Sequence, residues 1–488
     1  MSFYANKEEE TLFKSHLETL CKNHREKELE LIKPDGKSID QMRQIILDYV
    51  KEKQRIIYGG YAMDILLKEK TDGKVFVYDE LCKPDVEFYT DDLQSDVMEL
   101  CILLREKGGF IGVMSEEGVH PSTWKIKACL NTAICDVTYF PTQLYSVIPT
   151  IKSRKGYLCA HPWHMMIDTY TVYSKPLINY FRLTKTYSRA QLLLQSFPLD
   201  YPESRNCRGN NKNRHSHKPQ LVVVDKVSEW IKSSSNSSLL LTGSTAHDAF
   251  MKVSGLETRM HWDTFMVVAS TNYTEDVKAL CKLLEDSQKS QVTIKWYAPF
   301  QDYLLEKADL IIDGKTVVRI QKEDGGCVPY VIIDKRKYTS TQYTIRYLML
   351  ERLRLKTLVH MKPDKVSNME HRTSCISAMI VNMVDAKKKY YAEHKDQTIF
   401  TRENNPFQEF ILECSAQSKI VTPLYASKVL MNQRKRQGKA LRLRYIPSSK
   451  KGIRKPFKKV KFDQSLGQLV GISTGSAGSV VPPTKKQT

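Results

Sequence analysis

The chain of 488 residues lacks three features that would each assign it to a familiar class. No apolar run is long enough to cross a bilayer, which disfavours a membrane span. The 11 cysteines include no Cys-x-x-Cys pair, which disfavours a zinc cluster, and their odd number disfavours a disulfide framework. The N-terminal region is rich in Lys and Glu and has no apolar signal-peptide core. Together these absences predict a reducing, intracellular compartment.

Length and net charge bound the number of domains and the kind of partner. A chain of this length exceeds what one hydrophobic core accommodates, so we expect two or three domains. The formal charge of +20 predicts a polyanionic partner, and nucleic acid is the first candidate. Binding to an anionic lipid surface is the alternative, but no amphipathic anchor supports it.

Three acids dominate the stretch from residue 54 to residue 145. Asp85 and Glu87 lie in a short apolar segment, 84–89, and their side chains share one face if the segment is a strand. Asp136 lies in a second apolar run, 134–140. If the two strands pair, three carboxylates converge, and such oxygen donors suit hard divalent cations such as Mg²⁺.

A glycine pair precedes these acids. Residues 55–64 read as a short apolar strand, then Gly59 and Gly60, then the start of a helix. Glycines at a helix N-terminus let backbone N–H groups approach a phosphate closely. Taken alone, the glycines indicate only a turn and the acids only a solvated face. Their order along the chain predicts a metal-dependent nucleotidyl-transfer site.

Cations downstream are candidates for contacting the triphosphate or an RNA backbone. Arg182, Lys185 and Arg189 recur at i, i+3 and i+7, which places them on one face of a predicted helix. A solvated helix face is the alternative. Weaker candidates for the same role are Lys125, Lys127, Arg154 and Lys155.

The first architecture then repeats. Residues 238–248 mirror the first strand and glycine turn, and residues 261–267 take the place of the acidic strand. We expect Phe265 where the first copy has Glu87, and Arg319 or a neighbour on the strand that carried Asp136. With at most one acid this copy cannot hold two metal ions, so we predict that it is inactive. Chance similarity of two α/β segments is the alternative.

The C-terminal tail is strongly basic. From Arg434 to Lys461 it contains 13 Lys and Arg residues and no acid. Such runs are usually disordered when free, and they also bind phosphate backbones. A nuclear-localisation signal is a weaker interpretation. The RNA-binding candidates are Arg434, Lys435, Arg436, Lys439, Arg442, Arg444, Lys458 and Lys459.

These motifs resemble a known family. The segments 58–60, 84–89 and 135–138 resemble the polymerase-β-type nucleotidyltransferases, and within them the poly(A) polymerase catalytic subunits of poxviruses, asfarviruses and mimiviruses. Segments 157–162, 167–168 and 181–189 resemble the same group, and so does the long insert before the acids. Glu87 departs from the aspartate that many relatives carry there.

The resemblance implies an α+β fold and a function. The expected fold is a catalytic nucleotidyltransferase domain followed by a degenerate second one, with helical flanks and a basic tail. The expected regions are helical 1–50, with a turn at residues 33–36; catalytic 51–200; linker 201–218; inactive domain 219–360; helical 361–430; and a largely disordered tail, 431–488. The expected reaction is template-independent transfer of AMP from ATP to the 3′ end of viral mRNA.

The resemblance also implies cofactors and partners. Two Mg²⁺ or Mn²⁺ ions would be held by Asp85, Glu87 and Asp136, and the triphosphate by Gly59 and Gly60. Single-stranded RNA, ATP, and either a second copy or a second viral subunit are the expected partners, without a membrane. We expect a location in the host cytoplasm and packaging in the virion.

Two other functions remain open from the sequence. A CCA-adding or uridylating enzyme would have the same metal site. A non-catalytic RNA-binding subunit would have the same charge and tail, but three acids retained on a protein that binds RNA would lower its affinity.

Overall fold

The computed structural model divides into two compact units. It describes residues 7–78, 84–118, 122–128, 132–207, 226–231, 238–256, 265–288, 291–300, 303–323, 328–361, 366–401, 404–409, 431–437 and 444–447. The first unit runs to Phe140 and adds Thr150–Ala160 and the tail residues 444–447. The second unit comprises Pro141–Pro149 and the chain from His161 to the helical residues 431–437.

Three helices belong to the first unit: α1 (Lys7–Glu52), α2 (Gly59–Lys70) and α3 (Leu93–Glu106). The predicted turn at residues 33–36 is wrong, because α1 continues through them. A proline removes only one backbone donor, and the helical segments on both sides are long enough to continue past it. In α3 the Asp92 carboxylate accepts a hydrogen bond from the Ser95 N–H and caps the first turn.

An eight-stranded sheet forms the core of the first unit. Its order is β15-β3-β4-β5-β2-β1-β7-β6. The strands are β1 (Ile56–Ile57), β2 (Val86–Thr90), β3 (Met114–Glu117), β4 (Thr123–Ala128), β5 (Thr132–Tyr139), β6 (Thr150–Lys152), β7 (Leu158–Ala160) and β15 (Arg444–Tyr445). The pair β2–β5 is parallel and the pair β1–β2 is antiparallel.

Eight named helices of the second unit lie among the described residues. They are α4 (Thr142–Tyr145), α5 (Pro162–Ser174), α6 (Pro176–Asn179), α7 (Leu183–Ser196), α8 (Gly243–Val253), α9 (Tyr273–Gln288), α10 (Thr341–Met361) and α11 (Val366–Glu393). Two 3₁₀ turns, Tyr180–Arg182 and Pro202–Asn206, and the helical residues 226–231 and 431–437 also belong to this unit.

A seven-stranded sheet in the second unit repeats the order of the first sheet, except that the edge strand β15 has no counterpart among the described residues. Its order is β10-β11-β12-β9-β8-β14-β13. The strands are β8 (Leu239–Thr242), β9 (Met266–Ser270), β10 (Thr293–Tyr297), β11 (Lys307–Ile312), β12 (Lys315–Lys322), β13 (Tyr330–Ile333) and β14 (Arg336–Thr339). The pair β9–β12 is parallel and β8–β9 antiparallel, like β2–β5 and β1–β2. This correspondence confirms the predicted repeat.

Parts of the predicted linker are packed. Tyr201 is buried, and Glu203 accepts a hydrogen bond from Arg352 in α10. A disulfide joins Cys207 to Cys375 of α11, a pairing that the sequence did not predict because 168 residues separate the two. The rest of the linker, 208–218, lies outside the described residues.

The two units do not follow the domain bounds expected from the sequence. Residues 161–200 group with the second unit, whereas the sequence analysis placed them in the catalytic domain. Because a compact unit need not coincide with a functional domain, the expected domain bounds stay a prediction. Within the tail, β15 adds an edge strand to the catalytic sheet, antiparallel to β3.

Candidate active site

Two of the three predicted acids lie side by side in the catalytic sheet. Glu87 on β2 and Asp136 on β5 are direct partners in the parallel register. Asp85 precedes Glu87 by two residues, immediately before β2, so an extended backbone directs it to the same face. On the opposite face Val86 and Phe88 are fully buried, which fixes the orientation of the strand.

A buried thiol, that of Cys135, lies within the electric field of these acids. Cys135 lies beside Asp136 in β5 and is fully buried. Burial raises the pKa of the Cys135 thiol well above its ordinary value, and the charges of Asp136, Asp85 and Glu87 raise it further. All three carboxylates thus act electrostatically on one point of the sheet.

The glycine turn has a steric requirement that only glycine meets. Gly59 begins α2 with φ +67°, a left-handed conformation that a side chain disfavours. A Cβ built there would lie 2.0 Å from a carboxylate oxygen of Glu87. The turn and the acidic strand therefore touch, as the sequence order predicted.

Glu87 is bonded to the helix N-terminus. The Gly60 N–H donates a hydrogen bond of 3.0 Å to its carboxylate. The side chain of Tyr58, the residue before α2, does not cap the helix. The Glu87 carboxylate supplies an acceptor there instead, at the positive end of the helix. The Gly60 N–H, which we expected to contact a phosphate, is thus bonded to Glu87 in this structure.

Asp136 is bonded to a lysine of the neighbouring strand. Lys125 on β4 is its direct register partner, and the lysine Nζ lies 3.0 Å and 2.9 Å from the two carboxylate oxygens. From the sequence, Lys125 was only a weak candidate for contact with phosphate. Its pairing with Asp136 was missed, because the β4–β5 register passes a bulge after Ile126 that no sequence pattern shows.

The donor set fits divalent cations of the Mg²⁺ type. Three carboxylates on two adjacent strands offer the hard oxygen ligands that such ions prefer. In the part of the chain that the structure describes, no three Asp, Glu, His or Cys side chains already lie in a ligating arrangement. Two of the acids are instead bonded within the protein, Glu87 to the Gly60 N–H and Asp136 to Lys125.

The second unit shows what replaced these acids. Thr242 before the second glycine turn pairs with Val267, just as the Tyr58 N–H before the first turn donates to the Glu87 carbonyl. A Cβ built on Gly243 would contact Val267, just as one built on Gly59 would contact Glu87. Val267 therefore holds the Glu87 position and Phe265 the Asp85 position. The expectation of Phe265 at the Glu87 position is wrong by two residues. Asp263 lies outside the described residues.

The position of Asp136 carries an arginine in the second unit. Arg319 on β12 is the register partner of Val267, and Asp309 on β11 is the register partner of Arg319. The guanidinium donates to both oxygens of Asp309 at 2.7 Å and 2.9 Å. It also lies 4.6 Å from the ring centroid of Phe265. These replacements remove the carboxylates of the site at the described positions, which supports an inactive second copy.

The charges of this buried pair are stabilised by each other. Burial alone would raise the pKa of Asp309, but the charge of Arg319 and its hydrogen bonds outweigh burial and keep that pKa below its usual range. Glu351 of α10 also accepts from Arg319, at 3.3 Å. Asp309, Arg319 and Glu351 are all buried, whereas Lys125 and Asp136 are partly exposed.

The main predicted phosphate-contacting cations lie in the second unit, and the weaker candidates Lys125, Lys127, Arg154 and Lys155 lie in the first. Arg182 ends a 3₁₀ turn, and Lys185 and Arg189 follow on α7, as their spacing predicted. Arg182 and Lys185 are exposed, and Arg189 is half-buried. Their contact with a triphosphate or with RNA stays a prediction.

The predicted RNA-binding residues of the tail are described only in part. Arg434, Lys435 and Arg436 lie on the helical residues 431–437. Arg444 belongs to β15 and pairs with Glu116 of β3 at 3.3 Å, so its charge is partly used within the protein. The remaining candidates, Lys439, Arg442, Lys458 and Lys459, lie outside the described residues.

Comparison with known proteins identifies the family. The family model of the poly(A) polymerase catalytic subunit matches residues 44–179, which contain all three acids. A second model, of the C-terminal region of the mimivirus poly(A) polymerase catalytic subunit, matches residues 230–470. The chain belongs to the viral poly(A) polymerase catalytic subunits.

Individual relatives agree with the family models. The crystal structure of the Megavirus polyadenylate synthase matches with a TM-score of 0.77 and 25% identity, covering 91% of this chain and 86% of that chain. A poly(A) polymerase catalytic subunit of Acanthamoeba polyphaga mimivirus is 24% identical over 487 residues, covering 91% of this chain and 78% of the relative. The African swine fever virus subunit (isolate Pig/Kenya/KEN-50/1950) is 25% identical over 167 residues, covering 33% of this chain and 34% of the relative.

Membership in this family confirms the predicted fold and class of enzyme. The chain is an α+β protein of nucleotidyltransferase type and a polynucleotide adenylyltransferase. Among the described residues, no helix combines the length and the apolar character that crossing a bilayer requires.

Proposed function

We propose that the chain transfers AMP from ATP to RNA 3′ ends at the site formed by Asp85, Glu87 and Asp136. In this reaction the RNA 3′ oxygen bonds to the α-phosphorus of ATP, the bond to the bridging oxygen breaks, and pyrophosphate leaves. The observation that carries the proposal is the direct pairing of Glu87 with Asp136 on parallel strands beside the Gly59 turn.

The residues have distinct tasks in this proposal. Bound Mg²⁺ or Mn²⁺ supplies activation of the 3′-hydroxyl and charge stabilisation of the departing pyrophosphate. Asp85 and Glu87 would ligate both ions, and Asp136 the one at the hydroxyl. Gly59 and Gly60 would present backbone N–H groups to the triphosphate once Glu87 turns to its metal. Positioning and charge then supply most of the acceleration.

Substrates and partners follow the family with less detail. Single-stranded RNA and ATP are the proposed substrates, with Arg182, Lys185, Arg189 and the tail cations as candidate contacts to phosphate. A second copy or a second viral subunit, and a place in the host cytoplasm and the virion, stay expectations. The family match supports adenylate addition over CCA addition, uridylation or a non-catalytic role.

A primer-extension assay tests the proposal. Purified chain and a short oligo(A) primer are incubated with Mg²⁺ and each of ATP, CTP, GTP and UTP in turn. We expect long products with ATP alone, and none for Asp136→Asn. Asp72→Asn, which changes an exposed acid of the same unit, should retain full activity. Extension with UTP, ordered addition of CTP and ATP, or no extension would each overturn adenylate addition.

A further inference from the structure

Residues 169–199, which contain the second half of α5 and all of α6 and α7, carry no negatively charged side chain. Between Asp168 and Asp200 the sequence contains no Asp or Glu, although the whole chain contains 55. The same interval carries the cations Lys175, Arg182, Lys185 and Arg189. A segment that carries cations and no acids favours polyanions over basic partners.

Two neighbouring aromatic side chains project from this segment into solvent. Tyr180 is 71% exposed and Phe181 is 68% exposed. Their ring centroids lie 5.8 Å apart with the planes nearly perpendicular. Both belong to the 3₁₀ turn that leads into α7. A pair of large rings this exposed marks a place where a flat ligand can bind.

Cations flank the two rings. The guanidinium of Arg182 lies 5.7 Å from the ring centroid of Phe181. Lys185 follows one turn later on the exposed side of α7, and Tyr187 is also exposed. The turn is held by α7, which buries Ala190 and Leu193 and packs against α5. The rings therefore sit on a fixed support rather than on a long loop.

Charge and shape together select one kind of occupant. An apolar protein surface would match the rings but offer no negative charge to the cations. A duplex offers phosphates but keeps its bases stacked inside. Only an unpaired strand offers both exposed bases, which stack on aromatic rings, and a phosphate backbone, which pairs with cations.

We propose that Tyr180, Phe181, Arg182 and Lys185 form a stacking platform for single-stranded RNA. The rings stack on bases, and the two cations contact the adjoining phosphates. The inference rests on the proposed function, which requires the chain to hold an RNA 3′ strand. It adds aromatic base contacts to the phosphate contacts expected from the cations alone.

Equilibrium binding without ATP tests the platform independently of catalysis. Affinities are measured by fluorescence anisotropy for oligo(A) and for an abasic strand of equal length. Stacking on one ring contributes about fivefold or more to affinity. We expect Tyr180→Ala and Phe181→Ala each to weaken oligo(A) binding by about that factor and to leave abasic-strand binding unchanged. Phe181→Leu, which keeps apolar volume but loses the ring, should behave like Phe181→Ala.

The matched control is Phe400→Ala, because Phe400 is 70% exposed and lies outside the segment without acids. It should leave both affinities unchanged. Salt dependence separates the two kinds of contact. Arg182→Gln or Lys185→Gln should lower the slope of log K against log salt by about 0.7, the value for one phosphate on a single strand. The aromatic variants should leave that slope unchanged.

Two results would overturn the platform. One is an equal loss for oligo(A) and the abasic strand in the aromatic variants, and the other is no loss for either. The proposed function fails separately, through absence of ATP-dependent extension, and that outcome leaves the binding comparison interpretable.

Discussion

Arg319 holds in the second unit the register position that Asp136 holds in the first. Each is bonded across to the neighbouring strand by a residue of opposite charge, Asp309 for the arginine and Lys125 for the aspartate. The signs are exchanged, while the ion pair and the strand order are the same. The cross-strand pair is thus a feature of both sheets, and the sign of the charge at the shared register position is reversed between them.

The buried pair of the second unit should be structural. Arg319→Met leaves the carboxylate of Asp309 buried without its main partner, and breaking such pairs costs about 3–5 kcal/mol. We expect a clearly lower denaturation midpoint in urea, with Mn²⁺ binding unaffected. Lys252→Met breaks an exposed pair with Asp334 of the same unit and should change the midpoint little. Loss of Mn²⁺ binding in Arg319→Met would contradict a purely structural role.

The pair in the first unit should compete with metal. Lys125 is 31% exposed, against 6% for Arg319, so it can leave Asp136 when an ion arrives. Lys125→Met removes both the competing cation and its repulsion of the metal. We expect Mn²⁺ affinity, measured by electron paramagnetic resonance, to tighten about two- to fivefold, as for partly exposed ion pairs.

A surface lysine provides the control for this comparison. Lys53 pairs with Glu99 at 2.8 Å and is similarly exposed. Lys53→Met carries the same change of charge in the same unit and should leave Mn²⁺ affinity unaltered. Weaker or unchanged binding in Lys125→Met would show instead that the lysine supports Asp136 without competing for it.

The glycine turn should tolerate no side chain. Gly59→Ala combines a left-handed backbone, which costs about 1–2 kcal/mol, with a clash against Glu87. Gly73→Ala has the same backbone problem at φ +81°, with nothing within 4 Å of the added carbon. We expect both variants to lose stability in thermal unfolding, and only Gly59→Ala to lose AMP incorporation. Equal activity in the two would remove Gly59 from the site.

A capping histidine should make the second unit sensitive to acid. Burial, with the charges of Arg352 and Lys356, lowers the pKa of His161 to about 4. Its Nδ1 accepts the Trp163 N–H at 3.2 Å, which requires an unprotonated ring nitrogen. Between pH 4 and 6.5 the unfolded chain binds the proton that the folded chain rejects, so stability falls as pH falls through this window.

Substitution of that histidine should reduce the acid sensitivity. His161→Asn keeps a capping acceptor without a titrating ring. We expect the melting temperature to depend less steeply on pH between 4 and 6.5 than in the unaltered chain. His360→Asn, at an exposed histidine near the end of α10, should leave that dependence unchanged. A slope in His161→Asn equal to that of the unaltered chain would contradict the assigned cause.

Local patterns in the sequence were sufficient to predict that Glu87 and Asp136 lie on neighbouring strands. Alternation along the strand placed Asp85 and Glu87 on one face, and the apolar run around Asp136 predicted the neighbouring strand. Both inferences depend on side-chain periodicity and on strand–turn–helix order, which are local properties. Pairing of the two strands in register then required only that their apolar faces be buried together.

Features set by register and tertiary packing were not predictable. Residues 265–269 are apolar on both faces, so nothing in the sequence fixed which residue pairs with Thr242, and Phe265 was placed two residues off. The pairing of Lys125 with Asp136 and of Cys207 with Cys375 depends on segments that meet only in the folded chain. The exposure of Tyr180 and Phe181 likewise follows from packing around α7 and not from their spacing.

Direct measurement of metal binding tests the central claim that the three acids form one cation site. Mn²⁺ is titrated into the full chain and followed by electron paramagnetic resonance for the unaltered protein, Asp85→Asn, Asp136→Asn and the exposed-acid control Asp72→Asn. We expect tight Mn²⁺ binding in the unaltered protein and in Asp72→Asn. In Asp85→Asn and Asp136→Asn the affinity should fall at least about a hundredfold, which is more than the loss of a residue that only supports a metal ligand costs. Tight binding that persists in Asp85→Asn and Asp136→Asn would contradict the claim.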